Sequence, residues 1–184
     1  MPTTVHPASL LHLIVDLMRL RAGPQDLPHS PPLLVRFALV ALAVDLFSAH
    51  VLDVDGTPAP RFMVAFALTF ALPWMLLSWR NRRERYVQTM LALLATGIAF
   101  SLLFLPLASW ALTQGLIGVD TAPDPQQALF AWLILALVVW KVAVTASIWR
   151  HALDWPLPAG VGISLLLFVA EFGLDRLLFA GTAG

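Results

Sequence analysis

Residues 80–111 read RNRRERYVQTMLALLATGIAFSLLFLPLASWA: four arginines and one glutamate in six positions, then no ionisable side chain from residue 87 to residue 111. A helix rises 1.5 Å per residue and a hydrocarbon core is about 30 Å thick, so such a run is long enough to cross a bilayer. The arginine cluster before it stops the crossing at one face. Four further apolar stretches, 33–52, 62–79, 128–149 and Leu157–Phe179, repeat the pattern. The expectation is an all-α polytopic membrane protein with five transmembrane helices, 33–52, 62–79, 87–111, 128–149 and 157–179. These form one domain, 33–184, preceded by an N-terminal segment, 1–32.

Composition supports the same class. The hydrophobic fraction is 59%, charged residues make up 12%, and mean hydropathy is +0.82, more apolar surface than a water-soluble domain of 184 residues could enclose. Net charge is +0, which leaves no basic footprint for nucleic acid. Cysteine is absent, excluding disulfides, thiolate metal sites and cysteine nucleophiles. The five histidines include no i, i+4 pair, so neither a metal nor a cofactor is expected. Ten arginines against one lysine point to a GC-rich, bacterial genome.

The N-terminal segment is not patterned as a removable signal, because its first positive residues, Arg19 and Arg21, follow the apolar run. Ser9, His12, Asp16 and Arg19 recur at steps of three and four, giving a helix with one narrow polar stripe. Such a helix suits a membrane interface or a partner's groove. Residues 22–32 contain four prolines and form a turned connector. Pro73 and Pro106 fall inside spans 2 and 3, where each should bend or break its helix.

Positive loops remain in the cytoplasm, so Arg80, Arg82, Arg83 and Arg85 orient span 2 inward and span 3 outward. Alternation then places Arg19, Arg21, Arg36 and Arg150 inside and the loops 53–61 and 118–127 outside. The expected location is the bacterial inner membrane, with the N-terminus cytoplasmic and the C-terminus external. Tryptophans at 79, 149 and 155 and Tyr86 fit the inner interface.

Charges inside spans are the best pointer to function, since each costs roughly 2.5 to 3.5 kcal/mol at the bilayer centre. By helical rise, Asp45 lies about 18 Å, Lys141 about 12 Å and Glu171 about 21 Å from the inner ends of their spans. Spans 1, 4 and 5 are therefore expected to pack around an Asp45, Lys141, Glu171 cluster. A second polar level joins His50 and Asp175, with Arg176 at the outer boundary. Such groups either fix helix register or carry ions and protons.

The five-span plan, together with Leu20-Arg-Ala-Gly-Pro-Gln-Asp-Leu-Pro28 before span 1, resembles the Yip1 superfamily, in particular a proteobacterial inner-membrane group. The resemblance implies a non-enzymatic integral membrane protein that acts through protein or lipid partners. Two readings follow: a scaffold or accessory subunit that binds membrane lipids and another membrane protein or a second copy, or a small proton-linked transporter or channel component using Asp45, Lys141 and Glu171. A membrane enzyme would need a reactive constellation, and the loops carry none.

Overall fold

The computed structural model describes residues 7–52, 59–114 and 125–179, and among these every regular element is helical. Helix α1 spans Pro7–Met18, α2 Pro31–Val51, α3 Ala59–Trp79, α4 Tyr86–Thr113, α5 Pro125–Leu153 and α6 Leu157–Phe179. Short 3-10 turns occupy Pro24–Asp26 and Arg83–Arg85. Three stretches among the described residues, Pro31–Val51, Arg83–Thr113 and Pro125–Leu153, are long and apolar enough to cross a membrane. Helices α3 and α4 continue through Pro73 and Pro106, so neither proline breaks its helix.

Helix α4 is the centre of the bundle. Met90 and Leu94 pack with Ala41 of α2, while Leu91, Ala92 and Phe100 meet Val144 and Ile148 of α5 together with Leu17 and Leu27. Its buried Thr89 and Thr96 donate to the carbonyls of Arg85 and Ala92, at 2.8 Å and 2.7 Å, so the polar atoms within this face are satisfied locally. Helix α2 is the opposite case, with Ala41 its one buried residue among those described. It packs chiefly on α4, and α5 packs on both α4 and α6.

Helices α5 and α6 share the most extensive contact among the described helices. Gly160 permits it: a β-carbon there would run into the backbone carbonyl of Ala146, which no rotamer change could relieve. A second core cluster surrounds the fully buried Trp149 with Leu77, Ala152 and Leu153.

Three helices end in the same way, with a non-glycine residue at positive φ: Leu20 after α1 (61°), Asn81 after α3 (55°) and Asp154 after α5 (54°). In each, the next amide reaches back five residues, from Arg21 to Asp16, Arg82 to Leu77 and Trp155 to Arg150. This closes the last turn and satisfies a terminal carbonyl. Asn and Asp tolerate the left-handed region, whereas Leu enters it at a cost.

Helix α1 lies on the bundle of its own chain. Leu17 is buried, and Leu10, Leu13 and Met18 pack against the cluster built on α4 and α5. Of the polar stripe, Ser9, His12 and Arg19 are exposed and Asp16 is half-buried. The connector is held as firmly: Gln88 Nε2 donates to the carbonyl of Leu27 at 2.7 Å, and Trp140 Nε1 donates to that of Met18 at 2.9 Å.

Candidate functional site

Among the described residues, polar chemistry concentrates in two places, one at the arginine-rich end of the bundle and one along its outer face. At the arginine end, the turn after α3 carries Arg80 to Arg85 against the turn after α5. Arg85 Nη1 donates to the carbonyls of His151 (2.9 Å) and Ala152 (3.3 Å) and to Asp154 Oδ1 at 2.9 Å. It therefore caps the carbonyl end of α5, where the helix dipole favours a cation. Arg82 Nη2 meets the other Asp154 oxygen at 3.0 Å. The Arg85 hydrogen bond, reinforced by the neighbouring charges of Arg85, Arg82 and His151, holds the Asp154 carboxyl below its usual range.

Beside this network lies a cavity of about 280 Å³, lined by Pro24, Gln25, Arg85, Gln88, Thr89, His151 and Asp154. Its walls offer an imidazole, two amides, a hydroxyl, a carboxylate and a guanidinium, but several of these are already engaged. Arg85 is neutralised by Asp154, Gln88 bonds the connector, and His151 Nδ1 bonds the Ser147 carbonyl at 2.7 Å. The remaining imidazole nitrogen can exchange a hydrogen bond with a small polar group. The Thr89 hydroxyl in these walls donates to the carbonyl of Arg85 at 2.8 Å.

The second place is mid-helix on the outside. Asp45 lies at mid-helix on α2 and Lys141 on α5, within electrostatic range of one another. Both side chains are exposed on the single chain. Their helices do not meet along their length, because α2 packs chiefly on α4. The expected packing of spans 1, 4 and 5 into one group is thus corrected to α5 with α6 and α2 with α4, for the reason that α4 carries the buried faces toward both sides. Around the two charges the surface is apolar, with Leu46, Phe47, Val138, Val139 and Trp140 all exposed.

Glu171, Asp175 and Arg176 lie on α6, but their side chains fall outside the described residues, as does the Asp175 partner expected for His50. His50 itself is exposed near the end of α2. Reading the sequence missed the Arg82, Arg85, Asp154 network and the Gln88 clasp. One signal was available: Asp154 is the lone acid in the short connection after span 4, opposite the densest arginine cluster in the chain. Gln88 carried no signal, because its acceptors are backbone carbonyls, which every residue has.

With this geometry in view, comparison with known proteins finds no matching family model, no matching curated protein and no matching solved structure.

Proposed function

We propose that the chain is a five-span, non-enzymatic accessory or scaffold protein of a bacterial inner membrane, inserted with its N-terminus and arginine turns in the cytoplasm. The observation that carries this reading is the exposure of Asp45 and Lys141 at mid-helix, amid exposed apolar side chains. A charge facing hydrocarbon costs several kcal/mol, and mutual attraction offsets only part of it. A neighbouring transmembrane helix that offers hydrogen bonds to both completes the compensation. The face is therefore a contact surface for another membrane protein or a second copy.

The experiment is affinity purification of the full chain from membranes in mild detergent, wild type against D45N and K141M. A defined partner, or a dimer, that is lost in both variants supports the reading. A partner set unchanged in both would overturn it. The attraction between Asp45 and Lys141 is also what a proton-linked path would use, since protonating Asp45 would release Lys141. Proton flux in proteoliposomes that disappears in D45N would transfer the assignment to that second reading.

Helix α1 packs on the bundle of its own chain, so a docking role falls to the residues it leaves exposed. Because Leu17 and Leu27 belong to the core cluster, removing residues 1–30 would damage the fold as well as any docking. The informative changes are at exposed Leu11 and Val15, which lie one turn apart on α1.

A further inference from the structure

The four arginines between α3 and α4 divide into two pairs with different surroundings. Arg82 and Arg85 are engaged by Asp154. Arg80 and Arg83 are instead laid against indoles, the Arg80 guanidinium carbon 4.8 Å from the ring centre of Trp155 and that of Arg83 5.9 Å from Trp74. Both are exposed, and among the described residues the ion pairs of this turn come from Arg82 and Arg85. A guanidinium held against a ring keeps its planar N–H edge for an acceptor, and that fork matches phosphate oxygens.

The neighbourhood defines which phosphate. Trp79, directly before Arg80, is 74% exposed, and Met75, one turn earlier, is 64% exposed. An exposed tryptophan at the end of an apolar helix, followed at once by arginine, marks the boundary between hydrocarbon and headgroups. The turn is tied down on two sides: Asn81 closes α3 at positive φ, and Arg82 and Arg85 link it to the turn after α5. Trp155 belongs to that second turn, so Arg80 is positioned by α5 and Arg83 by α3. Two oriented cations are thus fixed on a firm base where a leaflet's phosphates would lie.

We propose that Arg80 and Arg83, held on Trp155 and Trp74, form a contact site for the phosphate groups of anionic phospholipids. The site depends on the chain lying in a membrane and is separate from the face around Asp45 and Lys141. Its failure is accordingly distinct from that of the partner reading, and D45N is expected to leave it intact.

The test is native mass spectrometry of the full-length chain, purified in mild detergent and supplied with equal amounts of phosphatidylglycerol and phosphatidylcholine. Each arginine near an anionic headgroup contributes about a fivefold preference, so the wild type should retain phosphatidylglycerol over phosphatidylcholine by at least that factor. R80Q/R83Q should bring the ratio close to one. R83Q alone, a change at an exposed turn residue that leaves both ion pairs in place, should lower it partway, and it serves if the double variant misfolds. R150Q removes an exposed arginine from the last turn of α5 and should change nothing. No lipid preference in the wild type, or the same ratio in R83Q and wild type, would overturn the proposal. So would an equal loss in R150Q, which would mean diffuse charge, or displacement of the lipid by millimolar inorganic phosphate, which would mean a soluble anion.

Discussion

The arginine end of the bundle and the outer face of α2 and α5 treat charge in opposite ways. At the arginine end, Asp154 is met by two guanidiniums, Arg85 also caps α5, and Gln88 clasps the connector. On the outer face, Asp45 and Lys141 lie exposed among exposed apolar neighbours. The first region pairs its charges within one chain, whereas the second leaves Asp45 and Lys141 exposed, the feature on which the proposed partner surface rests. The chain ties its charges together where its helices turn and leaves them exposed at mid-helix.

That contrast is most severely tested at Trp149, just before the end of α5. It is fully buried, and W149A should cost about 3–5 kcal/mol by leaving a cavity that its neighbours cannot fill. Thermal unfolding in detergent would show it. Among the described residues its Nε1 finds no acceptor, so W149F should recover most of the loss by keeping an aromatic ring without the orphan donor. If W149A were tolerated, the arginine end would not be the structural base claimed for it.

A smaller loss is expected from G160A. The added methyl meets the Ala146 carbonyl and must push α6 away from α5, at about 1–3 kcal/mol. In the opposite sense, L20G should stabilise by about 1 kcal/mol, because Leu20 is half exposed and occupies a left-handed conformation that glycine adopts freely. Both effects are read in the same melting experiment, and a loss in L20G would mean that its side chain packs more usefully than its exposure indicates.

The acid side of the stability profile sharpens the comparison further. Asp154 is held below the usual carboxylate range, first by the Arg85 hydrogen bond and then by the nearby positive charges. Its contribution is therefore fully present above the unfolded carboxylate value of about 3.9 and is lost as pH falls through the lower folded value. The melting temperatures of wild type and D154N should differ at neutral pH and converge below about pH 4. The weakest effect on stability is expected from D45N combined with K141M. Exposed on the single chain, these two side chains should leave the melting temperature of the isolated protein nearly unchanged while altering what copurifies with it.

Helix positions were legible in detail. Spans expected at 33–52 and 87–111 correspond to α2 at Pro31–Val51 and α4 at Tyr86–Thr113, because uninterrupted apolar runs bounded by Pro, Arg or Asp leave few other boundaries. The prolines were less legible: at 73 and 106 their helices continue. The heights of Asp45 and Lys141 along their helices were readable from the sequence, since helical rise converts residue number to height. The direction in which each points was not, because rotation about a helix axis leaves no trace in an apolar run that looks the same all round.

The sequence by itself determined the apolar composition, the helical class and the division between charged turns and apolar helices, all of which follow from composition and length. Only the tertiary structure decided that α4 is central, that α1 folds back onto α4 and α5, and that Arg82 and Arg85 are engaged while Arg80 and Arg83 face outward. The reason is that these depend on which side-chain shapes interlock between segments distant in the chain. A missing β-carbon at Gly160 or an amide at Gln88 has no meaning until the opposing carbonyl is brought to it.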